Sequence, residues 1–183
     1  MQALILIDIQ NDYFAGGANP LVGPDAAAAN AARLLQAFRV AGRPVVHIQH
    51  LSTRPGSTFF VPGTRGAETH AAVAPQPGEA VIEKHFPSSF RDTSLQAELT
   101  RLGARQLLIA GMMTHMCVDT TVRAAFDLGY ECQLAHDACA TRDLSFAGHT
   151  VKAQDVQAAY LATLGSPFAT VKSTADWLAE LQG

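Results

Sequence analysis

Apolar residues fall along this chain in short, nearly unbroken runs, separated by longer stretches in which they recur every three or four positions. The first run, ALILIDI at 3–9, barely alternates, as a strand buried on both faces requires. The stretch 25–42, DAAAANAARLLQAFRVAG, carries Leu34, Leu35 and Phe38 on one side of an alanine-rich helix that Gly42 closes. Further strands are predicted at 43–51, 80–84, 106–111, 130–135 and 168–173. Helices are predicted at 95–103, about 117–128, 150–165 and 175–181. Strand followed by helix, repeated to six strands, predicts an α/β fold with a mostly parallel, Rossmann-like sheet covered on both faces. The irregular segment 52–79 is rich in proline and glycine. A connection this long reads as a lid, as a wall of a pocket or, at 64–72, as a reach to a neighbouring subunit.

Composition narrows this picture. A chain of 183 residues, 48% hydrophobic and 16% charged, predicts one domain over 1–183 with a full core. Its net charge of -3 and lack of a basic run predict no nucleic-acid partner. Cysteines at 117, 132 and 139 are too few and too irregular for a disulfide scaffold. The opening MQALILIDIQND has no basic region ahead of its apolar run and contains an aspartate, so neither a leader nor a membrane span is expected. A cytoplasmic protein without a membrane partner is the expectation.

Ligands of an open parallel sheet bind at the carboxyl ends of its strands. Asp8 ends the first strand, Lys84 the third, and the turn after the fourth delivers Cys117 to a helix start. A helix N-terminus and a neighbouring ammonium both favour a thiolate. Lys84 would supply that charge, Asp8 would move the thiol proton, and backbone N–H groups of Met113 and Cys117 would receive a developing oxyanion. Each residue also has an ordinary reading: aspartate as a turn residue, lysine as a snorkelling surface group, cysteine as a small core residue. Their joint placement favours the chemical one.

Other groups read more plainly. Cys132 and Cys139 look structural, Asp137 looks like a turn residue beside His136, and Asp143 and His149 look like helix-entry or surface groups. His47, His50, His70, His85 and His115 lack the tight spacing of a zinc site, so neither a metal nor another cofactor is expected. Phe14, His50, Phe59, Phe60, Phe86, Phe90, Met112 and His115 are candidate pocket residues. Arg54, Arg65 or Arg91 are candidates to hold a carboxylate.

DIQNDYF (8–14), EKHFPSSF (83–90), GMMTHMCVDTTVRAAFDLGY (111–130) and HDACATRD (136–143) together resemble the isochorismatase-like cysteine hydrolases, in order and spacing over almost the whole chain. The resemblance implies a three-layer α/β/α fold and an Asp8–Lys84–Cys117 triad. It also implies a cis peptide between Met112 and Met113 that aims the Met113 N–H, a small-molecule substrate and a homodimer or larger oligomer. Nicotinamidases of that family carry an Asp-x-His metal set after the second strand, where this chain has HIQHLS. Retention of Cys117 favours hydrolysis of a small amide or N-carbamoyl compound through a thioester. The alternatives are an isochorismatase-type vinyl-ether hydrolase using Asp8 as an acid, and a non-catalytic oligomeric binding protein.

Overall fold

Two separate hydrophobic layers follow from the period of two along the strands. In β1 (Gln2–Ile7) Leu4 and Leu6 enter one cluster, while Ala3, Ile5 and Ile7 enter the other. The computed structural model describes residues 1–182. It contains β2 (Val45–His50), β3 (Ala80–Lys84), β4 (Gln106–Met112), β5 (Glu131–Ala140) and β8 (Ala169–Lys172), all parallel, in the order β3-β2-β1-β4-β5-β8. On one face α1 (Pro24–Val40) buries Leu34, Leu35 and Phe38, and α5 (Thr174–Gln182) is fixed by Trp177, whose indole N–H donates to the Leu134 carbonyl at 3.1 Å. On the other face lie Leu95 and Leu99 of α2 (Leu95–Arg101), and Val122 and Ala125 of α3 (Asp119–Asp127). This is the expected three-layer α/β/α arrangement.

The departures have local causes. The helix predicted from about Cys117 begins at Asp119, because Thr114–Val118 form a wider π-type turn closed by Val118 N–H on the Met113 carbonyl at 3.2 Å. The strand predicted to end at 135 runs to Ala140 after a register shift between Ile109 and Gly111, so His136 and Asp137 lie within it. The helix predicted from 150 is α4 (Ala153–Thr163). Ahead of it β6 (Leu144–Phe146) and β7 (His149–Val151) form a hairpin, and Asp143 accepts from the Ala153 N–H at 2.8 Å. Gly111 lets β1 and β4 approach: a Cβ there would lie 2.1 Å from the Ile7 carbonyl oxygen.

The far end of the 52–79 segment is pinned by charge. Glu79 receives two hydrogen bonds of 2.7 Å from Arg39 of α1 and lies 2.9 Å from Nε2 of His47 on β2. Arg39, against the opposing effect of partial burial, holds the Glu79 carboxyl down at about 2. A depressed carboxylate stabilises the fold at pH values above its unfolded pKa and loses that contribution as pH falls through the folded one. Glu79→Gln should therefore lower the melting temperature at pH 6 and lose its effect as pH falls from about 4.5 toward about 2. An equal deficit at every pH in a thermal melt series would refute this.

Candidate active site

Four polar side chains meet where β1, β2, β3 and the turn after β4 end. Asp8 leaves β1 with φ 50, a left-handed conformation that short acidic residues tolerate. Lys84 closes β3 opposite His50, its register partner on β2. Both Asp8 and Lys84 are fully buried, and Cys117 is 4% exposed. Lys84 Nζ lies 2.7 Å from Asp8 Oδ2, 2.9 Å from His50 Nδ1, 3.0 Å from the Phe86 carbonyl and 3.2 Å from Cys117 Sγ. An ammonium has three protons. They match His50, Phe86 and Cys117, and the Asp8 contact is an ion pair not aligned as a hydrogen bond. Donation to Nδ1 assigns the His50 ring proton to Nε2.

His50, expected only as a pocket residue, stands in the same cluster as the predicted three. Ligand-type atoms of Asp8, His50 and Cys117 all lie within 4.8 Å of one another, and the Lys84 ammonium touches all three residues. That donor set does not suit a divalent ion while the ammonium stays in place. The other histidines of the sequence reading are held elsewhere: His47 by Glu79, His70 stacked on Phe14, His85 on the Leu51 carbonyl, His115 on Thr141.

The electrostatics correct one expectation. Burial is the largest influence on Cys117 and pushes its thiol well up; Asp8 adds to this, and Lys84 only partly offsets them. Burial thus works against the thiolate that the helix start and Lys84 were expected to favour. Burial also raises Asp8, but Lys84 and His50 outweigh it and hold the carboxyl below its ordinary value. Lys84, which burial would lower, is raised by Asp8 and Cys117. Iodoacetamide at pH 7 should accordingly alkylate Cys117 at least about tenfold more slowly than free cysteine. Faster labelling, read by mass spectrometry, would mean that the sulfur rests as a thiolate.

Beside the cluster, a cleft of about 420 Å³ is lined by His50, Phe59 and Phe86 with Arg54, Ser57 and His85. The remaining predicted pocket residues divide. Phe14 stacks on His70 around a separate cleft that also includes Arg65. Phe60 is fully buried beneath Phe59, with ring centroids 3.8 Å apart. Phe90 packs against Tyr130 beside the layer of α2 and α3, and Met112 is buried in the core on the α1 face. His115 bonds Thr141 at 2.6 Å, on the β5 side, away from His50 on β2. Arg91 lies over the Phe86 ring at 3.6 Å.

Asp12 fastens the cleft wall. Its carboxylate accepts from Phe60 N–H at 2.7 Å and Ala18 N–H at 3.1 Å, and a Cβ on Gly66 would lie 2.1 Å from Oδ1. Met113 N–H donates to no backbone carbonyl among the described residues, and the Met112–Met113 peptide is cis, as the resemblance implied.

The model of the Isochorismatase domain matches residues 2–176. The chain belongs to the isochorismatase family. This family member is 47% identical to the uncharacterized isochorismatase family protein YddQ of Bacillus subtilis, over 96% of this chain and 98% of that one. Streptothricin hydrolase of Streptomyces noursei is 39% identical over 79% of this chain and 51% of its own length. The crystal structure of a putative isochorismatase hydrolase from Oleispira antarctica superposes with a TM-score of 0.95 at 52% identity, covering 97% of this chain and 96% of that one. As an isochorismatase-family protein with a cysteine in this cluster, the chain is a cysteine hydrolase of small molecules. Among the described residues, no helix is long and apolar enough to cross a membrane.

Proposed function

We propose that this protein hydrolyses the carbon–nitrogen bond of a small amide or N-carbamoyl compound, and that residues 1–183 act as one hydrolase domain. The observation that carries the reading is a buried thiol beside a buried carboxylate, with one ammonium touching both. Asp8, Lys84 and Cys117 are its catalytic residues. Asp8 Oδ1 has no hydrogen-bond partner and is free to take the thiol proton. The resulting thiolate attacks the acyl carbon while the N–H groups of Met113 and Cys117 receive the negative charge. Collapse breaks the carbon–nitrogen bond, the proton on Asp8 passes to the departing nitrogen, and a thioester remains. Asp8 then takes a proton from water, the hydroxide adds to the thioester, and the acid leaves as the sulfur regains its proton.

Lys84 steadies both anions throughout, and His50 fixes the ammonium from the cleft side. Burial disfavours the free thiolate, so proton transfer to Asp8 is favoured once a bound carbonyl can accept the charge of the sulfur. Vinyl-ether hydrolysis would require a protonated Asp8, and the lowered pKa of that carboxyl disfavours it. The test is ammonia release from a panel of small amides and N-carbamoyl acids, with isochorismate as the non-amide control. Release from an amide supports the reading. Turnover of isochorismate alone, persisting in Cys117→Ala, would replace it with acid catalysis by Asp8.

A further inference from the structure

Asp8 sits 2.7 Å from an ammonium and yet receives none of its protons. Both of its carboxylate oxygens are buried without a hydrogen-bond partner. The ammonium protons go instead to His50 Nδ1 at 2.9 Å, the Phe86 carbonyl at 3.0 Å and Cys117 Sγ at 3.2 Å. Of these acceptors the first alone is a side chain with no bond to make or break in the proposed cycle.

His50 is held in place from several directions. Its backbone N–H donates to Gln10 Oε1 at 2.8 Å, and its carbonyl accepts from Gln10 Nε2 at 2.9 Å. Gln10 is fully buried, and its amide also donates to the Ala67 carbonyl at 2.8 Å. The imidazole lies 5.6 Å from the ring of Phe60, which is fully buried as well. With Nδ1 on the ammonium, the rest of the ring edge is left to the cleft that His50 lines.

The placement of one proton matters for catalysis. A neighbouring ammonium stabilises a carboxylate by charge alone, but a hydrogen bond between them stabilises the charged form further and makes it a weaker base. Without Nδ1, the third ammonium proton is left 2.7 Å from Asp8 Oδ2. With Nδ1 protonated, the ring can no longer accept. Its new N–H then faces the Lys84 ammonium, which it repels, and Asp8 Oδ2 at 3.8 Å, which it attracts. Cys117 Sγ completes the cluster around the ring, and Arg54 and His85 line its cleft side. Either change puts a hydrogen bond on the carboxylate that has to take the thiol proton.

We propose that neutral His50 is a positioning residue that draws an ammonium proton away from Asp8, leaving the carboxylate charged but unbonded and so able to act as the base, and that protonation of His50 switches this off. This rests on Asp8 serving as the base of the amide-hydrolase reading. His50 then acts through Lys84, without touching the substrate.

Asparagine separates the two halves of the proposal, because its Oδ1 stands where Nδ1 stands and does not titrate. Without substrate, NMR of nitrogen-labelled histidine at pH 8 should show His50 as the Nε2–H tautomer, its signals assigned by their loss in His50→Asn; the Nδ1–H tautomer would overturn the proposal. Alkylation of Cys117 by iodoacetamide at pH 8 should slow by about tenfold or more in His50→Leu, the scale of one hydrogen bond to a charged group, and return to within about threefold of wild type in His50→Asn. On the best amide, His50→Leu should lower kcat by about the same factor while KM changes by less than about threefold. In His50→Asn the acid limb of kcat/KM should move down by about one pH unit or more. If His50→Leu melts early, His50→Phe takes its place, keeping a ring but no acceptor. Equal alkylation of wild type and the folded variant without an acceptor, or an acid limb unmoved by His50→Asn, overturns the proposal. Failure of the amide reading shows separately, as absence of ammonia release by the wild-type protein, and the tautomer and alkylation results still decide the role of His50.

Discussion

Cys117→Ala should lose at least about 10⁴-fold in kcat on the best amide substrate, while its melting temperature stays within a few degrees of wild type. The sulfur forms the covalent bond in the proposed cycle, and neither Asp8 nor water can replace it at the same carbon. Stability should barely change, because alanine removes one small sulfur from a site whose other contacts persist. Single-turnover acid quench would also show loss of the thioester. Near-wild-type kcat in this variant would remove the nucleophile from the mechanism, whatever the family.

The second large effect concerns stability. Lys84→Met should destabilise the fold at pH 7 by about 3–5 kcal/mol, because it leaves the Asp8 carboxylate buried without its cation. In this variant the Asp8 pKa should rise above its unfolded value, since burial remains and the opposing charge is gone. The sign is then fixed: the destabilisation is greatest above the folded pKa and shrinks as falling pH protonates the carboxyl. Adding Asp8→Asn should recover most of the loss at pH 7. Urea unfolding of the two variants at pH 7 and pH 5 would check both statements; a deficit independent of pH and unrescued by Asp8→Asn would mean that lost packing, not charge, is responsible.

The sheet was legible because its strands are so apolar. The near-continuous runs at 3–9 and 106–111 admit few other structures, and the helices between them leave little choice of winding. The ends of elements were less legible. The π-type turn before α3 depends on the Val118 N–H reaching Met113, and the β6–β7 hairpin on a turn at Ala147 and Gly148, both with positive φ, which no hydrophobic period announces. Asp8, Lys84 and Cys117 could be placed at strand ends from sequence, and they do meet. The height of the Cys117 pKa could not, because it reflects how deeply three chain-distant segments bury one sulfur. His50 was visible only as a pocket candidate; its place beside Lys84 follows from the β2–β3 register.

The fastenings of the 52–79 segment divide the labour of the protein. Asp12 holds its middle through the Phe60 N–H, Ile9, Gln10 and Asn11 hold residues 65–70, and Arg39 with His47 holds its end through Glu79, while the reacting groups stand on strand termini and the turn beneath. The exposed turn at 53–56 can change its length and side chains without touching any of these fastenings. Descendants of such a molecule could acquire new substrates by redrafting one stretch of chain, with the chemical step inherited intact.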